Sequence, residues 1–119
     1  MSTQPHAYSL PKQRRLRKAV EFRAALRSRT IFNGTFLRLY VKPADSDYAR
    51  IGLIVAKRVE RGAVKRNRIK RILREAFRRN QQAVAGLDCI FQLRHPFALT
   101  DSGRIYQEAS MLLLKVKRS

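Results

Sequence analysis

Two stretches of the chain have the composition of β-strands. Residues 35–42 are rich in aromatic and aliphatic side chains and stop at Pro43, and residues 49–56 form a second such run. Residues 44–47, Ala-Asp-Ser-Asp, are typical of a turn, so we predict an antiparallel hairpin. The two-residue period of a strand then divides the side chains of the first run between two faces, with Phe36, Arg38 and Tyr40 on one and Leu37, Leu39 and Val41 on the other.

Helical spacing of apolar residues predicts three helices, over residues 18–28, over 65–80 after Gly62, and from Asp101, which can cap the last one. The mostly apolar residues 87–93 predict a third strand. The expected order is therefore α-β-β-α-β-α, an α/β (α+β) two-layer sandwich. The second helix can serve as a crossover between parallel strands, and general statistics favour a right-handed one.

The helix predicted over residues 65–80 carries one apolar arc and two basic flanks. The arc consists of Ile69, Ile72, Leu73, Ala76 and Phe77. One flank holds Arg66, Lys70, Arg74 and Arg78, with Asn67 and Arg71 beside them, and the other holds Arg68 and Arg79. Like charges four residues apart destabilise a helix by a few tenths of a kcal/mol per pair. A solvated face usually interleaves Glu with Lys, whereas Glu75 is the sole acid here, so nucleic-acid binding explains the flanks better.

Charge and length narrow the class of protein. The chain has 119 residues and a net charge of +19, which indicates one domain and a polyanionic partner. We expect residues 1–15, with two prolines and a basic run, to form a flexible arm, and residues 16–119 to form the domain. No apolar stretch approaches a membrane span and the N-terminus lacks a signal core, so we expect a cytoplasmic protein that does not enter a membrane.

Residues that carry enzymatic chemistry are scarce. Cys89 is the only cysteine and lies in an apolar run, so we expect an inert buried thiol. The two histidines lack metal-ligand spacing. Asp45 and Asp47 are the only close acidic pair, and they suit a turn better than a metal site. Phe22, Phe36 and Tyr40 are candidate surfaces for stacking on bases, although aromatic residues at such spacing more often belong to a core.

The string from Lys65 to Phe77, KRNRIKRILREAF, closely resembles the signature of the bacterial ribonuclease P protein subunit. Residues 50–58, RIGLIVAKR, resemble that family's second strand, and Glu21-Phe22 its first helix, so the resemblance covers most of residues 14–115. It implies a fold similar to the second domain of a small-subunit ribosomal protein. It also implies an unusual left-handed βαβ crossover, in place of the right-handed one that general statistics favour.

The resemblance further implies the accessory protein subunit of an endoribonuclease, a ribonucleoprotein that removes the 5′ leader from precursor tRNA. Catalysis is then expected from the RNA subunit, with no catalytic residue in this chain and with magnesium as cofactor, bound mainly by the RNA. The implied partners are the catalytic RNA and precursor tRNA, and no DNA is expected. The alternative is a ribosomal or general RNA-binding protein without a processing role; an autonomous nuclease is a third reading.

By the same resemblance, one face of the sheet and the first helix form a cleft for the single-stranded leader. The implied cleft residues are Phe22, Leu26, Leu37, Leu39, Ile54, Arg58, Arg66, Asn67, Arg71, Arg74 and Leu93. The residues implied to face the RNA subunit are Lys57, Arg61, Arg68 and Lys70. Positions matching Leu26 and Leu39 are aromatic in some relatives, so apolar contact is expected to replace stacking there.

Overall fold

The computed structural model describes residues 15–16, 23–24, 26–27 and 30–118. Phe22, Glu21 and all but the last residue of the predicted arm lie outside the described residues. Within the first predicted helix, Arg23, Ala24 and Leu26 are helical, and the amide of Arg27 donates a hydrogen bond to the carbonyl oxygen of Arg23 at 3.2 Å.

A four-stranded sheet forms one layer of the fold. Its strands are β1 (Thr30–Asn33), β2 (Leu37–Pro43), β3 (Arg50–Ile54) and β4 (Leu87–Leu93), in the spatial order β1-β2-β4-β3. β2 runs antiparallel to both β1 and β4, whereas β3 and β4 are parallel. The second layer consists of α1 (Ala63–Asn80), which connects β3 to β4, and α2 (Ser102–Arg118).

The predicted hairpin between the first two strand segments is wrong. β2 and β3 do not pair, because β4 lies between them and bonds to both. β4 is buried from Asp88 to Phe91, so it requires a partner strand on each edge. Residues 44–47 reverse the direction of the chain after β2, but they do not determine which strand pairs with β2. The hairpin partner of β2 is instead β1, a strand that the sequence did not predict because only Phe32 in it packs against the core.

Both helices pack on the same face of the sheet. Ile69, Leu73, Ala76 and Phe77 of α1 are fully buried, which confirms the predicted apolar arc, with Ile72 partly buried at its border. From α2, the buried side chains are Ile105, Ala109, Leu112 and Leu113. The sheet contributes side chains from β2, β3 and β4 to the same core: Leu37, Leu39, Val41, Ile51, Cys89, Phe91 and Leu93.

The ends of the helices depart slightly from the predictions. α1 begins two residues earlier than expected, at Ala63 after Gly62, and ends at Asn80. Asp101 lies in a single 3₁₀ turn (Leu99–Asp101) that runs directly into α2. Its Oδ2 accepts a hydrogen bond from the amide of Ala98 at 3.0 Å, so the side chain caps the start of that turn. Before β4, Gly86 has a φ of 79°, a left-handed conformation that glycine adopts at little cost.

One side chain joins α2 to the β1–β2 turn. The carboxylate of Glu108 accepts hydrogen bonds from three consecutive amides, those of Thr35 and Phe36 at 2.9 Å and that of Leu37 at 2.8 Å. Gly34 lies directly against this carboxylate. The contact fixes the hairpin relative to the helix layer.

Candidate nucleic-acid interface

The face of the sheet away from the helices, which we call the open face, is the first candidate surface. Leu37, Leu39 and Leu93 do not lie on it, because they point into the helix-covered core and are 0, 0 and 1% exposed. Their predicted place in a leader cleft is therefore wrong. The strand period separated the two faces of β2 correctly, but it does not say which face the helices cover.

The open face combines polar and apolar side chains in cross-strand rows. Tyr40 of β2 and Ile90 of β4 are paired neighbours and form a small buried cluster with Leu16. Ile54, a predicted cleft residue, packs against that cluster. Leu16 lies beside β3, since its amide donates a hydrogen bond to the carbonyl oxygen of Ile51 at 2.7 Å. The sheet edge at β3 is thus partly covered by Arg15 and Leu16.

A charged row crosses the end of the same face. The fully buried carboxylate of Asp88 accepts two hydrogen bonds from Arg50, at 2.8 and 2.9 Å, and lies 3.8 Å from the ammonium of Lys42. Paired charge-assisted bonds of this kind hold a guanidinium in a fixed orientation. One acid therefore holds two cations, and the row keeps a net positive charge.

A pocket of about 260 Å³, which we call the sheet-edge pocket, lies between residues 15–16, β3 and α1. Its lining consists of Arg15, Leu16, Ile51, Gly52, Leu53, Lys70 and Arg74, so three of the described lining residues are cations and none is an acid. Burial and the nearby charge of Arg15 lower the pKa of Arg74. The buried Nε of Arg15 has no hydrogen-bond partner among the described residues. A phosphate group would supply both the missing acceptor and the missing negative charge.

The opposite flank of α1 borders a second concavity, which we call the helix groove. It measures about 520 Å³ and is lined by Arg68, Arg71, Ile72, Glu75, Arg79 and Tyr106. Glu75 is buried, and Arg78 donates to both of its oxygens at 2.9 Å. Hydrogen bonds from Arg78, opposed by burial and aided by Arg79, lower the pKa of Glu75. Its negative charge is therefore retained at neutral pH.

The two concavities group the basic residues differently from the roles implied by the resemblance. Lys70 was expected to face the RNA subunit and Arg74 the leader, yet both line the sheet-edge pocket. Arg71 was expected at the leader and Arg68 at the RNA subunit, yet both line the helix groove.

Other predicted residues lie outside both concavities. Arg66 donates to the carbonyl oxygens of Glu60 at 3.1 Å and Arg61 at 2.7 Å, which anchors its guanidinium at the start of α1. The remaining predicted residues outside the pocket and the groove have exposed side chains: Leu26, Lys57, Arg58, Arg61 and Asn67.

Two functional candidates were not predicted from the sequence. Arg15 had only its membership of a basic run to indicate it. Tyr106 had no signal at all, because its importance depends on α2 packing beside α1.

The described residues do not fit a metal site. No three His, Cys, Asp or Glu side chains among them gather in one place. Most of the described acids bond to cations or backbone amides within the fold, namely Glu60, Glu75, Asp88, Asp101 and Glu108. No step of a reaction is therefore assigned to a protein-bound magnesium ion. Across the part of the chain that the structure describes, no helix is long and apolar enough to cross a membrane.

The sheet, the two helices and the cationic concavities define a small α/β protein suited to a polyanionic partner. A family model described as Ribonuclease P matches residues 10–117. The chain is 68% identical over 110 residues to the ribonuclease P protein component of Nitrosomonas europaea, covering 92% of each chain. It is 34% identical to that of Chromobacterium violaceum, covering 94% of this chain and 93% of the relative.

Solved structures agree with this match. The RNase P protein from Staphylococcus aureus superposes with a TM-score of 0.76 at 24% identity, covering 87% of this chain and 95% of that one. The RNase P protein from Thermotoga maritima gives a TM-score of 0.67 at 25% identity, covering 88% and 96%. The chain belongs to the ribonuclease P protein family.

Proposed function

We propose that this protein binds the catalytic RNA of ribonuclease P and the 5′ leader of precursor tRNA, and so assists magnesium-dependent endonucleolytic removal of the leader in the cytoplasm. The observation that carries the proposal is the sheet-edge pocket, where Arg15, Lys70 and Arg74 converge without an acid among the described lining residues. Cations placed together against their mutual repulsion are best explained by phosphate groups that they bind.

The open face supports contact with a single strand beside that pocket. Its rows provide partly exposed apolar surface at Ile54 and polar donors at Arg38 and Gln92, and Tyr40 and Ile90 are buried beside them. A single strand exposes its bases, which apolar and polar side chains can contact together. The leader is therefore expected on the open face, contacting Arg38, Ile54 and Gln92 in place of the buried Leu37, Leu39 and Leu93.

The protein's part in the reaction is to bind and to orient RNA. Two RNA molecules that meet repel each other through their phosphates, and a strongly basic protein between them reduces that repulsion. The RNA supplies the chemistry in this proposal, and magnesium is held mainly by the RNA. The left-handed crossover and the likeness to a ribosomal protein domain rest on the family resemblance and stay predictions.

The test is reconstitution. The protein is added to a bacterial ribonuclease P RNA at a magnesium concentration too low for the RNA to work well alone, and cleavage of precursor tRNA is measured. Stimulated cleavage at the 5′ leader junction supports the proposal. Tight RNA binding without stimulation would favour a general RNA-binding protein, and cleavage by the protein alone would favour an autonomous nuclease.

A matched pair of variants tests the leader surface. Arg38→Ala removes one cation from the open face, and Lys117→Ala removes one exposed cation from the end of α2. We expect Arg38→Ala to weaken binding of precursor tRNA but not of mature tRNA, because only the precursor has a leader. Equal weakening of both substrates by Arg38→Ala would refute the leader assignment.

A further inference from the structure

The helix groove between α1 and α2 lies on the flank of α1 away from the sheet-edge pocket. On a helical wheel, Lys70 and Arg74 fall on one side of the apolar arc, and Arg68 and Arg79 on the other. An RNA phosphate bound in the sheet-edge pocket therefore cannot also occupy the groove. Any ligand of the groove must therefore be a different group from the phosphate bound in the sheet-edge pocket.

The charge of the groove favours an anion. Its lining has three guanidinium groups and one carboxylate. That carboxylate, Glu75, is already bonded to Arg78 and Arg79, and Arg78 lies outside the lining. The lining consequently has an excess of positive charge, and two of its arginines, Arg68 and Arg71, are exposed.

The shape and the apolar part of the lining distinguish the groove from a simple anion site. Tyr106 packs partly against the core and contributes its remaining surface to the groove, and Ile72 lies beside it, also partly buried. The volume of about 520 Å³ falls within the usual range for small-ligand sites, which is about 300–1,000 Å³. An inorganic anion makes no use of an aromatic side chain, whereas a nucleotide does.

We propose that the helix groove binds one nucleotide of a single-stranded RNA segment, with its base stacked on Tyr106 and its phosphates bound by Arg68 and Arg71. Arginine suits this place because its planar group bonds phosphate oxygens in pairs. Glu75 acts as a positioning residue, since it holds Arg79 at the rim. The proposal rests on the proposed function for the identity of the ligand as RNA, and it adds a second single-strand site to the protein.

The experiment uses a local reporter, because a chain of net charge +19 binds RNA at many places. The protein has no tryptophan, so the Tyr106→Trp variant carries a single indole in the groove. A base stacked on that indole quenches its emission. The probes are a short oligouridylate and an abasic ribose-phosphate oligomer of the same length. Tyr48→Trp, in the loop between β2 and β3, is the matched control.

We expect emission from Tyr106→Trp to fall and saturate with oligouridylate, and to change little with the abasic oligomer. Emission from Tyr48→Trp is expected to change little with either. Anisotropy of labelled oligomers establishes that both bind. A response of Tyr106→Trp equal for the two oligomers, or no response while anisotropy shows binding, would overturn the stacked-base site.

A second measurement covers the possibility that tryptophan disturbs the groove. Stacking is worth about 1–3 kcal/mol per base, so Tyr106→Ala should reduce the preference for oligouridylate over the abasic oligomer about 5- to 150-fold, while Tyr106→Phe retains that preference. Equal preferences in the Ala and Phe variants would count against the site. Failure here is distinct from failure of the proposed function. If wild-type protein stimulates ribonuclease P RNA but the groove does not bind a base, only the groove proposal fails.

Discussion

We expect the contact between Glu108 and the β1–β2 turn to contribute substantially to the free energy of unfolding. A Cβ atom added at Gly34 would overlap the Glu108 carboxylate. The φ of Gly34 is not positive, so alanine is compatible with the backbone there. The three atoms nearest to that Cβ all belong to the side chain of Glu108, which cannot move away without breaking its hydrogen bonds to Phe36 and Leu37.

The magnitude follows from those bonds. A hydrogen bond to a charged group contributes about 1.5–3 kcal/mol, and the bond to Thr35 is exposed and worth less. Glu108→Ala loses two such bonds and the weaker one, so we expect it to lower the free energy of unfolding by about 3–6 kcal/mol. Gly34→Ala alone should cost about 3 kcal/mol or more, since it breaks the bonds to Phe36 and Leu37. In the Glu108→Ala background the overlap is gone, so Gly34→Ala should then cost less than about 0.5 kcal/mol.

The assay is urea unfolding of the two single variants and the double variant, which together give a coupling energy. Gly103→Ala is the control, because no atom other than those of its chain neighbours and its own helix backbone lies within 4 Å of a Cβ added there, and the residue is already helical. A coupling energy near zero, with the two single effects simply adding, would show that the carboxylate is not held where the structure places it.

Three further predictions concern charge and reactivity. Arg74→Ala should reduce the slope of log affinity for single-stranded RNA against log salt by about 0.7, because one phosphate contact is lost; an unchanged slope contradicts the sheet-edge pocket. Folding lowers the pKa of Glu75, so the ion pairs of this carboxylate stabilise the protein fully above the unfolded pKa of about 4.5 and cease to do so as the pH falls through the folded pKa. Glu75→Gln should therefore reduce the loss in free energy of unfolding, measured with urea, that accompanies a fall in pH over this range. Burial, aided by the charge of Asp88, raises the pKa of Cys89 to about 12, so a thiol reagent at mildly alkaline pH should label the unfolded protein far faster than the native one.

The helical periodicity of α1 was sufficient to predict its core face. Ile69, Leu73 and Phe77 recur at a spacing that only a helix places on one side, and burial of that side is decided locally. The same helical spacing relates the buried residues of α2, Ile105, Ala109, Leu112 and Leu113. Helix-covered and open faces of β2, in contrast, are both rich in large side chains, with Leu39 and Tyr40 adjacent. The two-residue period of a strand assigns side chains to one face or the other, but it does not show which face the helices cover.

Strand order depended on contacts distant in sequence. The predicted hairpin followed from the short turn between β2 and β3, which is a local signal. Insertion of β4 between them is a consequence of its burial on both faces, which appears only once α1 has returned the chain to the sheet. β1 is short and exposed along most of its length, so it has almost no apolar pattern to detect.

The distribution of the acids explains how a strongly basic chain folds and still presents basic surfaces. Asp88 pairs with Arg50, Glu75 with Arg78 and Arg79, and Glu60 with Lys65, each at low exposure. Buried carboxylates of this kind are costly without a partner, so each one holds particular cations within the fold. The cations of the sheet-edge pocket have no acid beside them among the described lining residues, and the helix groove has one that is already engaged. Part of the surplus charge of the described residues therefore lies along the two flanks of α1, where a polyanion can bind it.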